Sequence, residues 1–193
     1  MNTKTYPQNQ IFIFDDVISN EDCDEIIKII DTYATKKTVW QEHNNVECYP
    51  ICVNEINDKE LSKKTDDKIF KIVTNLAQLF NREYSLPCKH DCGYTLRKIV
   101  GPTRQHVDGL LQDPGTKQQN LNRDVIRNMS LIIALNGNYE GGELVFPEQG
   151  NYTIKLKRGQ VVCFPPYWTH PHKTNSLLNN TVRYTINTWL CGT

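Results

Sequence analysis

Gly159-Gln-Val-Val-Cys-Phe-Pro-Pro-Tyr-Trp-Thr-His-Pro-His172, running on to Arg183-Tyr-Thr-Ile-Asn-Thr-Trp189, is the stretch on which the reading of this chain turns. Its counterpart lies upstream, in Gln105-His106-Val107-Asp108-Gly109. Together the two stretches hold imidazoles, a carboxylate and a guanidinium. His106 and Asp108 are two positions apart, so an extended strand would send both side chains to one face. A histidine from a distant strand would complete a set of two His and one carboxylate. Such a set occupies one face of an octahedron and leaves the other positions open, as a non-haem Fe(II) centre requires. Arg183 is planar and permanently charged, a fork suited to a carboxylate. These residues imply an iron site beside a site for a dicarboxylate.

Composition narrows the alternatives. The 193 residues carry 22 basic and 22 acidic side chains, interspersed, for a formal net charge of zero. That balance lacks the basic face of a nucleic-acid binder, so no nucleic-acid partner is expected. Residues 1–10 lack the apolar core of a signal peptide, and no apolar run reaches membrane-spanning length. The expectation is a cytoplasmic chain without membrane contact, long enough for one domain with a sizeable core. Seven cysteines, an odd number at irregular spacing, argue against a disulfide framework. Cys88, His90 and Cys92 raise a zinc question, with Cys48 or Cys52 as a further ligand. Their spacing is not a standard zinc pattern, and reduced thiols near a strand start fit better.

Ile11 to Phe14 reads as a short strand. Ser19 to Asp22 fits a helix start of capping-box type, followed by Cys23, Ile26, Ile27 and Ile30 at helical spacing. Val39-Trp40 and Tyr49 to Val53 read as strand pieces with a polar loop between them. A second helix is expected from about Lys59 or Asp66 to Asn81, with Ile69, Val73, Leu76 and Phe80 as its buried stripe. Strands then dominate. Tyr94 to Val100 is one, broken at Gly101-Pro102, and His106 to Asp108 lies on the next. Met129 to Leu135, Tyr139 to Phe146, Asn151 to Leu156, Gln160 to Phe164 and Arg183 to Leu190 follow. Gly109 to Arg127 is long and polar, and its position beside the candidate ligands suggests a lid. Two helices followed by many short strands give an α+β domain built on a β-sandwich.

His106-Val-Asp108, Tyr139-Glu-Gly-Gly-Glu-Leu-Val-Phe-Pro147, Gly159 to Pro165, His172 and Arg183 to Trp189 occur in an order that resembles the Fe(II)/2-oxoglutarate-dependent dioxygenases. The prolyl 4-hydroxylase-like branch, in its compact bacterial, phage and algal-virus form, is the nearest likeness. The resemblance covers residues 94–190 well and the rest loosely. It implies a double-stranded β-helix, or distorted jelly roll, with N-terminal helices packed on the major sheet. The helical support would occupy about residues 1–90 and the jelly-roll core about 91–193 of a single domain.

The resemblance further implies that His106, Asp108 and His172 hold Fe(II). The family's spacing from distal histidine to basic residue favours His172, eleven positions before Arg183, over His170, thirteen before it. His170 is then a supporting or surface residue, and His43 and His90 are ordinary polar residues. Arg183 and Thr185 match the pattern that grips the distal carboxylate of 2-oxoglutarate, although collagen-type prolyl hydroxylases have a Lys at the first position. Lys98 stands where the family carries a Tyr, and is a further candidate contact to the cosubstrate. Trp189 and Leu131 are expected to wall the pocket. The implied cosubstrates are 2-oxoglutarate and O2, with ascorbate as a reductant. The implied substrate is a proline-containing peptide or protein, the alternatives being another side chain or a small molecule. The intact Asp108 favours hydroxylation over halogenation. Two other classes stay open at this point, a non-catalytic jelly-roll binding module and a zinc protein built on Cys88, His90 and Cys92.

Overall fold

The computed structural model describes residues 3–6, 9–38, 46–109 and 126–192. The expected Val39-Trp40 strand piece, His43 and nearly all of the Gly109 to Arg127 loop lie outside the described residues. The elements run β1 (Thr3–Tyr6), β2 (Ile11–Phe14), α1 (Asn20–Tyr33), β3 (Val46–Cys52), α2 (Lys59–Tyr84), β4 (His90–Asp91), β5 (Thr95–His106) and β6 (Ile126–Ala134). They continue with β7 (Glu140–Gly141), β8 (Leu144–Phe146), β9 (Tyr152–Ile154), β10 (Val161–Phe164), β11 (His172–Thr174), β12 (Leu177–Leu178) and β13 (Arg183–Gly192). The main sheet follows the order β1-β2-β10-β6-β13-β5-β11-β8-β9, with β3 joining at β5 and β4 at β13, while β7 and β12 pair separately. Neighbours are antiparallel, and the sheet curls on itself as a jelly roll.

Period-two alternation divides β2, β6 and β10 between two cores, while Val46, Cys48 and Ile99 form a smaller third cluster. On β6, Leu131 and Ile133 face the helices, whereas Ile132 and Ala134 face the interior of the sandwich. On β10, Val161 and Cys163 go to the helical side and Val162 and Phe164 to the sandwich. On β2, Phe12 and Phe14 pack against the helices, with Ile11 and Ile13 inside. A strand buried on both faces reads as a near-continuous apolar run, which Met129 to Leu135 shows with Ser130 as its one polar residue.

The first helix is capped as its sequence suggests, and the structure supplies a cap for the second. The Ser19 hydroxyl accepts from the Asp22 N–H at 3.0 Å, and the Asp58 carboxylate accepts from the Leu61 N–H at 3.0 Å. The α1 stripe is Cys23, Ile26, Ile29 and Ile30, with Ile27 only partly buried at its margin, so Ile29 replaces the expected Ile27. The helix turns a slightly different flank to the sheet than the apolar spacing suggests. The expected α2 stripe is buried as read, while the helix starts at Lys59 and runs on to Tyr84. Phe80 anchors it against Phe12 and Phe14, with ring centroids 5.3 and 6.0 Å apart. No helix among the described residues is long and apolar enough to cross a membrane.

Two strand boundaries differ from expectation. Gly101-Pro102 does not break β5. The pairing of β5 with β3 shifts register there, from Cys48 opposite Ile99 to Val46 opposite Thr103, so a bulge absorbs the proline's missing N–H. Tyr139 to Phe146 is not one strand, because Gly141 and Gly142 adopt φ of +67° each and separate β7 from β8.

Outside the cores, Lys68 of α2 ties the helices together through Asp22 and Glu25 of α1, the latter at 2.6 Å, and Lys64 adds a second contact to Glu25 at 2.8 Å. The hydrogen bonds from Lys64 and Lys68 hold the Glu25 carboxyl down to about 2, below its ordinary 4.5. Its folded-state value being depressed, this contribution is complete above pH 4.5 and is lost as pH falls toward 2. Partly exposed pairs of this kind are worth ~0.5–1 kcal/mol. Lys68→Ala is therefore expected to lower the urea midpoint at pH 7 and to converge on the parent as pH approaches 2. A difference that stayed constant across that range would remove the ion pairs from the account.

Candidate active site

β5 and β11 lie side by side, with His106 directly opposite His172 in the register and ring centroids 4.3 Å apart. Asp108 follows just beyond the end of β5. The expectation that His106 and Asp108 share a strand face is corrected here: β5 ends at His106, and Asp108 sits at a bend. The bend turns its carboxylate back toward both imidazoles. Asp108 Oδ1 lies 3.3 Å from His106 Nε2, and Oδ2 lies 3.8 Å from His172 Nε2. Gly109 fixes the exit of the bend. Its N–H donates to the Pro166 carbonyl at 2.7 Å, and a Cβ there would stand 2.5 Å from the Tyr167 ring.

The outer sides of these ligand candidates are held in place. His106 Nδ1 lies 2.8 Å from the Arg104 carbonyl and His172 Nδ1 lies 3.2 Å from the His170 carbonyl. A carbonyl only accepts, so each Nδ1 carries a proton and each neutral ring presents a lone pair at Nε2. Burial is the main reason that the His172 imidazole is pushed down to about 4, so it is neutral near pH 7. Burial of Asp108 opposes its ionisation, but the contact with His106, the nearness of His172 and the Ser130 hydroxyl hold its carboxyl below the usual range. Ser130 donates to Asp108 Oδ2 at 2.7 Å, and Arg127 donates to the Asp108 carbonyl while stacking on the Trp189 ring at 3.8 Å. Three lone-pair donors within 4.8 Å of one another, with neutral imidazoles, repel unless a cation stands among them. The residues fit a metal ion with N,N,O preference, and this is the cluster of that kind among the described residues.

These three side chains line a cavity of about 240 Å³. Arg183, Arg97, Asn187 and Trp189 form another part of its wall. Arg183 is 8 % exposed, and its Nη1 donates to the Gly142 carbonyl at 2.7 Å. Gly141 and Gly142 make that contact possible. A Cβ on Gly141 would collide with the Ser176 carbonyl, and the left-handed backbone of both residues is one that glycine adopts without strain.

Several expected contacts fall differently. Lys98 points away from the cavity and pairs with Asp31 of α1 at 2.7 Å, because adjacent strand residues face opposite sides and Arg97 takes the inner face. Leu131 belongs to the helical core for the same reason, and Ile132 lines the cavity in its place. Thr185 is buried on the Arg183 face, but its hydroxyl is donated to Asn187 Oδ1 at 2.7 Å. Trp189 lines the cavity as expected. His170 is 3 % exposed and stands apart from the cluster. Its Nε2 lies 2.7 Å from the Asn9 carbonyl and its Nδ1 2.9 Å from the Thr169 hydroxyl, so it anchors the segment ahead of β2.

Cys88 is buried, and burial pushes its thiol up to about 11, while Cys92 is exposed. The described residues do not gather Cys88, His90 and Cys92 into a metal-binding group. Sequence reasoning passed over Ser130, Arg127, Arg97 and Asn187. A lone serine inside the apolar run Met129 to Leu135 is the one signal that could have marked the first of these.

Residues 97–191 match the family model of the 2OG-Fe(II) oxygenase superfamily. The strand-rich part of the chain, residues 97–191, is that of a 2OG-Fe(II) oxygenase. It is a 2-oxoglutarate-dependent dioxygenase, and the family implies Fe(II), 2-oxoglutarate and O2. No curated protein matches the sequence. Among solved structures, a viral collagen prolyl hydroxylase of Paramecium bursaria Chlorella virus-1, in complex with 2-oxoglutarate, superposes with TM-score 0.67 at 19 % identity. That match covers 95 % of this chain and 97 % of the viral one. A Trichoplax adhaerens prolyl hydroxylase, bound to a peptide fragment of the hypoxia inducible factor oxygen degradation domain, gives TM-score 0.69 at 15 % identity, over 95 % of this chain and 84 % of that one. A Pseudomonas putida prolyl-4-hydroxylase gives 0.64 at 13 %, over 96 % and 94 %. At these identities the likeness is one of fold.

His172→Ala is expected to weaken binding of Mn(II), a redox-inert probe, by at least about tenfold. His170→Ala is expected to leave Mn(II) affinity intact while lowering the melting temperature, because a buried carbonyl contact is lost at a cost of ~1–3 kcal/mol. Calorimetric titration and thermal unfolding separate the two. The opposite pattern would exchange the roles of the two histidines.

Proposed function

We propose that this dioxygenase hydroxylates an unactivated carbon of a prolyl residue in a peptide or protein, by prolyl 4-hydroxylation coupled to conversion of 2-oxoglutarate into succinate and CO2. The observation that carries the reading is the single cavity in which His106, Asp108 and His172 converge within reach of Arg183. His106, Asp108 and His172 would hold Fe(II). Together with 2-oxoglutarate and dioxygen, the iron supplies the oxidising power that places one oxygen atom on carbon.

The chain's own residues orient and exclude. The Arg104 and His170 carbonyls fix the two imidazole tautomers, and Ser130 and Arg127 hold Asp108 at its bend. Arg183, fixed by the Gly142 carbonyl, receives the distal carboxylate of 2-oxoglutarate. Thr185 acts on that group indirectly, by setting the amide of Asn187. Trp189, Ile132 and Leu144 wall the cavity and keep water from the reacting centre. The prolyl substrate is supported by the fold shared with enzymes described as prolyl hydroxylases, one of them holding a peptide. In this reading residues 1–193 form one catalytic unit, and ascorbate serves as the reductant that keeps iron divalent.

Incubation of the iron-loaded enzyme with 2-oxoglutarate, ascorbate and proline-containing peptides is expected to yield succinate and a peptide heavier by one oxygen atom. Consumption of 2-oxoglutarate with no proline peptide modified would sink the prolyl assignment and leave the oxygenase. Arg183→Ala is expected to raise the 2-oxoglutarate concentration for half-maximal succinate formation by at least tenfold, since breaking a buried charge pair costs ~3–5 kcal/mol. An unchanged requirement would make Arg183 a structural residue.

A further inference from the structure

Arg97 stands in the cavity with no hydrogen-bond partner for its buried Nε among the described residues. In the β5–β13 register Arg97 is opposite Thr185, and Arg183 is opposite Ile99. The two arginines are therefore diagonal neighbours on one face of the sheet, at the ~7–8 Å spacing of such pairs. Both line the same cavity. The Nε atoms of both are buried and have no hydrogen-bond partner. Arg183 has the Gly142 carbonyl, and neither guanidinium forms a salt bridge with a carboxylate among the described residues. Burial pushes the Arg183 guanidinium toward its neutral form, Tyr139 opposes this, and the nearby Arg97 charge adds to it.

Two like charges placed side by side in a part-buried cavity, with N–H groups unsatisfied, are costly to hold unless an anion joins them. A carboxylate offers two oxygens with about four lone-pair positions, enough to receive one fork from each of two guanidiniums. We propose that Arg97 and Arg183 bind the distal carboxylate of 2-oxoglutarate jointly. The inference rests on the reading of Arg183 above and adds a second cation, which makes Arg97 a determinant of cosubstrate specificity. It also accounts for the inner-face position of Arg97, which Lys98, directed at Asp31, does not share.

The test compares two 2-oxo acids that differ only at the distal end: 2-oxoglutarate, and 2-oxopentanoate, in which a methyl group replaces the distal carboxylate. Each is titrated calorimetrically into the Mn(II)-loaded protein, so that the readout is binding and not turnover. Arg97→Gln is expected to weaken 2-oxoglutarate by about tenfold or more and to leave 2-oxopentanoate and Mn(II) affinities unchanged. Arg97→Lys, which keeps the charge but not the fork, is expected to lose less. Arg183→Gln is expected to erase most of the preference for 2-oxoglutarate. If Arg97→Gln bound 2-oxoglutarate like the parent, the joint grip would be overturned, and Arg97 would serve some other anion or none. An equal loss for both 2-oxo acids would overturn it as well, by showing a general effect on the cavity. A normal preference in Arg183→Gln would sink the underlying reading of Arg183, whereas a lost preference there beside a normal Arg97→Gln would sink the joint grip alone. Retained 2-oxopentanoate binding identifies a folded variant, and Arg97→Lys carries the same comparison should Arg97→Gln fail to fold.

Discussion

The pairing of β11 with β5 is the constraint on which the site depends. It sets His172 opposite His106 although sixty-six positions separate them in the chain. Because side chains alternate across a strand, a slip of one residue would turn one imidazole out of the sandwich and leave the other alone. The slip is resisted on both sides of β11. Thr174 Oγ1 accepts from the Thr103 N–H at 2.8 Å on the β5 side, and Lys173 and Thr174 pair with Val145 and Leu144 on the β8 side. Phe164 and Phe146, edge-on to each other in the sandwich core, flank the His172 ring at 4.7 and 5.9 Å. The core that stabilises the sandwich is thus also the wall that positions one metal-ligand candidate.

The polar side of the site is organised by backbone carbonyls as much as by side chains. Carbonyls of Arg104 and His170 fix the imidazole tautomers, and the carbonyl of Gly142 fixes Arg183. Each is held by an irregular feature: a shifted register in β5 near Arg104, the turn ahead of β11, and paired left-handed glycines between β7 and β8. Regular ladders use their carbonyls up within the sheet. Bulges and turns free them to orient side chains, so function gathers where the sheet departs from regularity.

Much of this was legible in the sequence, for identifiable reasons. The helices follow from the Ser19 capping box and from apolar spacing, and the buried strand from Met129 to Leu135 follows from an apolar run that only Ser130 interrupts. The site candidates His106, Asp108, His172 and Arg183 follow from motif order, and the structure brings all four to one cavity. The misplaced residues share one cause. Lys98 against Arg97 and Leu131 against Ile132 are each wrong by one position, and one position reverses the face. Spacing identifies a strand more readily than it tells which face turns inward when both faces are buried. Asp108 was expected on a strand because His-x-Asp also fits an extended pair, whereas a bend brings its carboxylate to both imidazoles. Ser130, Arg127 and Asn187 act through contacts between strands distant in sequence, which no local pattern records.

Folded proteins leave few buried polar atoms without partners. Here five such side-chain atoms occur among the described residues, and the Nε atoms of Arg97 and Arg183 and Nε1 of Trp189 belong to residues that line the one cavity holding the histidine and aspartate cluster. The concentration is informative because only Arg158 Nε and Thr188 Oγ1 are left elsewhere among the described residues. A cavity that keeps cationic donors unpaired on one wall and lone pairs converging on the other is poorly matched to water alone. It is matched to a cation and a carboxylate arriving together, each offsetting a charge that the fold leaves open. Ligands that bind such a site stabilise the folded state by mass action, so part of the stability of the working enzyme resides in its cofactors and not in its chain.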